Sequence, residues 1–331
     1  MDPSGPEPSS LPSGPHPTAG PGTVRMPRWP GPLLVVGGGL LALFAVGALM
    51  LAGTGELVVR NPGLLAWLAL GGALLFVAGL VYSAVRQIRV RRFLPPERYR
   101  GPAILLLLVL VLVLSGVLTA PFSEDAAALL LGDGELTLAG AFVLLVSTQT
   151  SLLLVSWLFV FRPKALIGWP SWAAPNAGGA LRAGLGWGLL AWAGAMIVSA
   201  GVVLLLEELG IDIEPQAAEQ ALQLVDPWLA ILAIVILAPL AEEIFFRGVV
   251  FNAWLREGGR TWAYLGSSAL FAVIHLSLVA VVPIFLLGLA LAWVYRRTGN
   301  LLAPIAMHAT VNGLSVTLAL LARYQVVPLP G

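Results

Sequence analysis

The chain has 331 residues, of which 58% are hydrophobic and only 11% charged, and its mean hydropathy is +0.91. Soluble domains carry roughly a quarter charged residues, so this composition excludes a single soluble globule and most soluble cofactor enzymes. The lack of cysteine excludes disulfides, thiolate metal sites and a cysteine nucleophile. The formal net charge of +1 predicts no nucleic-acid partner.

Residues 1–31 are rich in proline, glycine and serine and predict a disordered tail. The apolar runs that follow are mostly long enough to cross a hydrocarbon layer of about 30 Å. They predict an all-α polytopic bundle of about eight or nine spans. The runs cover 33–52, 64–85, 102–121, 138–161, 183–206, 228–250, 263–282, 283–295 and 301–322. The weakest boundary lies at Pro283, where no polar turn separates two runs, so eight spans plus a re-entrant or kinked piece stay open.

The spans and the tail predict four regions. These are a tail (1–31), an N-terminal transmembrane region of about four spans (32–179), a transmembrane core with the chemistry-bearing residues (180–322) and a short C-terminal tail (323–331). Glycines within the runs, such as those at 37–39 and at 184, 186 and 188, are expected to let helix backbones approach closely.

Lysine and arginine concentrate in alternate loops. Fifteen of them fall on one side, whereas the other side has Arg60 and Arg323 and collects acidic residues. Basic residues are retained on the cytoplasmic side, so we predict a cytoplasmic N-terminus, a multi-pass protein of the plasma membrane and membrane lipid as its surroundings. Lys164 is the sole lysine, and this arginine-rich composition favours a bacterial source.

The sixth run contains three charges, Glu242, Glu243 and Arg247, in apolar surroundings. Charges at membrane depth are costly, so they normally face the bundle interior and mark a site. Glu243 and Arg247 are four residues apart and can pair on one helix face. Glu242 is rotated by about 100° from Glu243 and is expected to be the acid free to react. The alternative is that all three charges form an interior ion network that only fixes helix packing.

Pro239 lies one turn before Glu242. Because proline has no amide hydrogen, it is expected to free the carbonyl of Val235 and to kink the helix. The opened space could hold a water.

Two histidines fall in later apolar runs. His275 follows Phe271 by four residues, and His308 precedes Asn312 by four, so each pair shares a helix face. From the helix rise of 1.5 Å per residue, both imidazoles and Glu242 are expected at similar depth in the inner half of the membrane.

A carboxylate and two imidazoles suit a divalent metal, with zinc favoured and Glu242, His275 and His308 as ligands. Asn312 would add an oxygen ligand or a donor toward developing negative charge. A metal would activate water for peptide hydrolysis. Without a metal, Glu242 could deprotonate a water itself. The sequence leaves both routes open.

Three blocks in this order, Glu242-Glu243-x-x-x-Arg247, Phe271-x-x-x-His275 and His308-x-x-x-Asn312, resemble those of the CPBP intramembrane protease family, also called the Abi or type II CAAX prenyl endopeptidase family. The resemblance covers roughly residues 180–322. It implies a helical membrane endopeptidase whose site opens toward the cytosol and cleaves a membrane-associated peptide or protein.

The resemblance also implies residue roles. Glu242 would be the catalytic or metal-binding acid, His275 and His308 ligands or water-holding groups, and Asn312 a further contributor. Glu243 and Arg247, beside Phe271, would support the site or meet the substrate. A prenylated substrate is not expected in a bacterium.

Two other classes stay open. In a proton- or ion-coupled transporter the same charges would form a relay, but only one span carries charges and no inverted repeat is visible. An inactive immunity or scaffold protein would keep the fold without the reaction. Peptide cleavage would indicate the endopeptidase and ion flux the transporter, and the absence of both would indicate the inactive protein.

Overall fold

The computed structural model describes residues 27–53, 58, 60–120, 138–167, 176–211, 227–275, 277 and 279–324. Throughout these residues the secondary structure is helical, without a strand, which confirms the predicted all-α class. Most of the predicted tail (1–31), the acidic loops around 124–135 and 212–226, and the predicted C-terminal tail from 325 onward lie outside the described residues.

The described residues form eight helices, which we number in chain order. The helices are α1 (Pro30–Gly53), α2 (Pro62–Arg91), α3 (Ile104–Thr119), α4 (Leu138–Ser156, continued by a π-helical turn Trp157–Phe161), α5 (Ala177–Glu208), α6 (Pro227–Val273), α7 (Val281–Thr298) and α8 (Leu302–Arg323).

Six helices of the described part of the chain are long and apolar enough to cross a membrane, namely α1, α2, α5, α6, α7 and α8. The apolar helices α3 and α4 are shorter, with the described α4 window at Val146–Phe161. The chain is therefore a multi-pass membrane protein, and the helix count agrees broadly with the eight or nine predicted spans.

The sixth and seventh predicted runs lie in the single element α6. A backbone break divides this element at Gly259, whose φ of 80° and ψ of −172° are non-helical. Glycine tolerates such a φ because it has no Cβ. The two limbs, 227–258 and 260–273, correspond to the two predicted runs.

The predicted end of the seventh run at 282 is wrong, because α6 ends at Val273 and the break falls within 274–280. Ser277 supplies the polar turn, since its hydroxyl accepts a hydrogen bond from the Ala280 amide at 3.0 Å. Pro283 lies in the first turn of α7, where an amide has no helical acceptor and proline costs little.

Close helix packing uses particular glycines. At Gly184 a Cβ would collide with the Ala303 carbonyl oxygen, and at Gly188 it would lie 2.6 Å from Thr310 Cβ, so α5 packs directly against α8. Gly38 likewise lets α1 pack directly against α2, because a Cβ at this position would lie only 2.5 Å from the Phe76 nitrogen. The packing role predicted for these glycines is confirmed, but Gly37 and Gly186 face open space.

Candidate functional site

The first limb of α6 alternates between α- and π-helical hydrogen bonding. A π-helical stretch, Ile231–Leu237, precedes the α-helical turn Ala238–Glu243, and a second, Ile244–Phe251, follows it. Such insertions rotate the residues that follow and are frequent at functional sites. Glu242 and Glu243 thus lie in one α-helical turn between two π-helical stretches.

Pro239 lies at the junction of the first two stretches. In a π-helix the amide of residue 239 would bond the carbonyl of residue 234, not that of 235. Proline lacks this hydrogen, and the Asn312 side-chain nitrogen of α8 donates to the Ile234 oxygen at 2.9 Å instead. The carbonyl that receives this side-chain donor is that of Ile234, and the predicted release of the Val235 carbonyl stays a prediction.

Asn312 thereby holds α8 against α6. Its amide is half-buried and satisfies a carbonyl that would otherwise have no helical donor. The structure gives this residue a positioning contact, and its predicted role toward developing negative charge remains a prediction.

The Glu243–Arg247 ion pair is present and buried. Arg247 Nη1 donates to Glu243 Oε1 at 2.9 Å, and the two side chains are 1% and 0% exposed. Arg247 Nη2 also donates to the Gly288 oxygen of α7 at 3.1 Å. The guanidinium carbon lies 4.5 Å from the centre of the Phe271 ring. Arg247 thus joins α6 to α7 and compensates the charge of Glu243.

His308 approaches Glu243 from α8. Its Nδ1 lies 2.9 Å from Glu243 Oε1. Because the carboxylate is paired with Arg247 and can only accept, Nδ1 must carry the hydrogen. In the neutral ring Nε2 then has a free lone pair. This arrangement fixes the tautomer of His308 in the way that carboxylates fix ligand or base histidines.

Glu242 turns toward the other edge of His308. Its Oε2 atom lies 4.0 Å from His308 Nε2, and its side chain is 13% exposed. Among the described residues Oε2 has no hydrogen-bond partner although it is buried. A buried carboxylate oxygen without a partner is costly, and Glu243 Oε2 is in the same state. Glu243 is however held by Arg247 and His308 through Oε1, and the role of Glu242 as the reacting acid stays a prediction.

His275 lies on the same side of the bundle but is exposed. Its Nδ1 lies 2.7 Å from the Phe271 oxygen, and since a carbonyl only accepts, Nδ1 carries the hydrogen and leaves Nε2 open. The Phe271 ring contacts both imidazoles edge-to-face, with ring centres 4.9 Å from His275 and 5.7 Å from His308. Phe271 therefore positions the two histidines relative to one another.

The predicted ligands do not converge as a metal cage. Among the residues that the structure describes, no three histidine or acidic side chains are arranged to hold a metal ion. Glu242 and His308 are neighbours, but His275 stands across the Phe271 ring. The donor types suit zinc, and the metal prediction stays a prediction.

Sequence analysis missed the contribution of Gly288. Its carbonyl oxygen binds Arg247, and a Cβ there would lie 3.0 Å from Ser268 Cβ of α6. A lone glycine in an apolar run is the only signal, and it does not identify the partner.

A family model matches the part of the chain that contains the site. Residues 224–314, which include all the motif residues, match the family model described as type II CAAX prenyl endopeptidase Rce1-like. No solved structure matches this chain.

Three relatives match parts of the chain. An uncharacterized 24.3 kDa protein of Escherichia coli is 36% identical over 135 residues, which cover 37% of this chain and 60% of that protein. A Bacillus subtilis protein named "Putative membrane peptidase YdiL" is 32% identical over 92 residues, 28% of this chain and 38% of that protein. The UPF0177 protein YxdF of Lactococcus lactis is 32% identical over 78 residues, 23% and 42% of the two chains.

In each case the match covers less than two thirds of the relative. The family match nevertheless contains Glu242, His275, His308 and Asn312 in the order that the sequence motifs predict. Residues 224–314 of this chain are therefore similar to the Rce1-like type II CAAX prenyl endopeptidase family.

Proposed function

We propose that this protein is an intramembrane endopeptidase in which Glu242 activates a water molecule for attack on a peptide bond. One observation carries the proposal. The unpaired Glu242 Oε2 lies 4.0 Å from His308 Nε2, inside a helical bundle that spans a membrane.

The separation of these two atoms suits a bridging water. At 4.0 Å they are too far apart for a direct hydrogen bond, and a polar pair at this distance is commonly bridged by water. Both atoms are acceptors when His308 is neutral, so the water would donate one hydrogen to each. Its lone pairs would then point away from both residues, toward a substrate carbonyl.

Hydrolysis follows from this placement. Glu242 accepts a proton as the water oxygen bonds to the carbonyl carbon, and the carbonyl π electrons move to its oxygen. Glu242 then returns the proton to the peptide nitrogen as the C–N bond breaks, which yields a carboxylic acid and an amine. His308 orients the water, and Glu243 with Arg247 holds His308 in the required tautomer.

The other motif residues receive supporting roles in the proposal. His275 is exposed beside Phe271 and can reach a substrate that enters the site. Asn312 has a second amide hydrogen beyond the one given to Ile234, and this hydrogen is available for a developing oxyanion. Both roles are proposals.

The family model supports the reaction class, since its description names an endopeptidase. The name of the Bacillus subtilis relative also contains the words membrane peptidase. By extension we propose a membrane-associated peptide or protein as substrate, a site open to the cytosol and a bacterial plasma membrane as the location. No step is routed through a metal, because the described donor residues do not converge on one point.

The deciding experiment uses purified full-length protein and a membrane peptide substrate. We expect Glu242→Gln to lower the cleavage rate by about 10²–10⁴-fold, the usual contribution of a general base, without lowering the unfolding temperature. Glu257→Gln is the matched control. Glu257 lies in the same helix and only bridges Arg91 near the surface, at 3.2 Å, so its loss should leave cleavage unchanged.

Full cleavage by the Glu242→Gln protein would refute the proposal. Ion flux in vesicles that depends on Glu242, with no peptide product, would instead favour the transporter.

A further inference from the structure

A cavity with polar side chains in its lining lies in the bundle away from the candidate site. It has a volume of about 320 Å³ and lies where α5 begins, α7 ends and α8 begins. Its lining includes Asn176, Gly179, Trp187, Arg297 and Asn300. Asn300 precedes His308 by eight residues, or about 12 Å at the rise of an α-helix, so the cavity is separate from the candidate active site.

Asn300 is the buried polar residue of this cavity. Only 2% of it is exposed. Its Oδ1 atom accepts from the Leu302 amide at 2.9 Å, which requires the oxygen at that position and leaves Nδ2 as the other atom. Nδ2 is buried and has no hydrogen-bond partner in the described part of the chain. Buried donors are normally paired, so this amide points to a ligand.

Further donors lie around the cavity. α5 begins here after Asn176, whose Oδ1 accepts from the Gly179 amide at 3.1 Å. The first turn of a helix presents amides and a partial positive charge. Arg297 is exposed and stacks on Trp293, with the guanidinium carbon 5.3 Å from the ring centre. No described carboxylate pairs with it or lines the cavity.

Donors, a helix N-terminus and an unpaired guanidinium together select an anion. We propose that the cavity binds a phosphate group, and that the phosphate belongs to the headgroup of an anionic membrane phospholipid. Asn300 Nδ2 and Arg297 would donate to the phosphate oxygens.

The surroundings of the cavity favour a lipid over a soluble phosphate. Trp187 and Trp293 meet edge-to-face with ring centres 4.9 Å apart, and paired tryptophans are typical of the membrane interface. The next turn of α5 exposes Leu185 and Leu189, at 53% and 56%, where an acyl chain would lie. This end of the bundle also carries Arg182 and Arg296, which suits the anionic lipid of a cytoplasmic leaflet.

The proposal can be tested on the full-length protein by native mass spectrometry in detergent. The probes are short-chain phosphatidylglycerol, phosphatidylcholine and inorganic phosphate. We expect phosphatidylglycerol to bind, and Arg297→Gln to weaken its binding about fivefold, the usual contribution of one arginine at an anionic surface. Arg296→Gln is the matched control, because Arg296 is the neighbouring arginine and does not line the cavity; it should leave the affinity within twofold.

A second variant separates the ligand effect from folding. Asn300→Asp keeps the oxygen that caps Leu302 but replaces the donor with a negative charge. We expect it to fold, with an unfolding temperature lowered by the buried carboxylate, and to lose phosphatidylglycerol binding at temperatures where it is fully folded. Equal effects of Arg297→Gln and Arg296→Gln, or full binding by Asn300→Asp, would overturn the site. Inorganic phosphate that binds as tightly as phosphatidylglycerol would overturn the lipid as its source.

Discussion

The α1–α2 hairpin and the helix α6 are both apolar enough to cross a membrane, yet they use their residues differently. In the most apolar window of α1, 11% of residues are buried by protein, against 47% in α6. Every residue from Ile244 to Phe251 is buried, whereas α1 buries only Gly31, Gly38 and Ala45. Lipid surrounds most of the first region and protein surrounds the second.

This contrast explains why residues of α6, and not those of α1, indicate a functional site in the sequence. A lipid-facing position requires only an apolar side chain, so many sequences satisfy α1. A buried position in α6 must fit its neighbours and must satisfy every polar atom. The charges at 242, 243 and 247 are therefore informative, and the apolar residues of α1 are not.

The strongest way to test the contrast is to break the buried ion pair. Arg247→Met leaves the Glu243 charge without its partner, and we expect a loss of about 3–5 kcal/mol in the free energy of unfolding, as for other broken buried pairs. Thermal unfolding in detergent, followed by circular dichroism, measures it.

The control for this loss is Glu257→Gln, which breaks the surface pair with Arg91 and should cost about 0–1 kcal/mol. Equal losses in the two variants would show that the buried pair contributes no more to the free energy of unfolding than the surface pair does.

The contact between α5 and α8 offers a smaller test that also affects the site. In Gly184→Ala the new Cβ would press on the Ala303 carbonyl oxygen and lie 2.7 Å from Ala306 Cβ. Overpacking of this kind costs about 1–3 kcal/mol, and the shift of α8 should also slow cleavage because it moves His308.

Gly186→Ala is the control, because no atom lies within 4 Å of its Cβ. Unfolding temperature and cleavage rate are measured on the same samples, and the comparison fails if the two variants behave alike.

The α1–α2 hairpin allows a test in which stability is expected to change and cleavage is not. In Gly38→Ala the Cβ would lie 2.5 Å from the Phe76 nitrogen and 2.6 Å from the Gly72 oxygen. We expect a loss of stability of about 1–3 kcal/mol with no change in the cleavage rate per folded molecule. Gly37→Ala, at an open position, should change neither. A slower reaction in Gly38→Ala would show that the hairpin is coupled to the site.

The smallest expected effect is that of metal removal. Because the proposed mechanism runs on Glu242 and a water, we expect cleavage to continue after chelation, with metal content checked by elemental analysis. Activity that is lost on chelation and restored by zinc would instead support the metal site predicted from the sequence.

Much of this protein follows from its sequence. Apolar runs determine the helical class, because backbone amides in a hydrocarbon layer must bond within their own segment. The pair Glu243–Arg247 follows from a spacing of four residues. The boundary between the seventh and eighth runs was wrong because the break falls in an apolar stretch, where Ser277 accepts a hydrogen bond from the Ala280 amide just before α7.

Only the tertiary structure decided which groups meet. The hydrogen bond of His308 to Glu243 joins residues 65 positions apart, and Glu242 meets the same ring from the next position. The position of His275 across Phe271 depends on how α6 ends. The hydrogen bond from Asn312 to the Ile234 oxygen joins residues 78 positions apart, and no local pattern predicts it. Local spacing determines which side chains share a helix face, but contacts between helices depend on packing, and packing depends on the whole bundle.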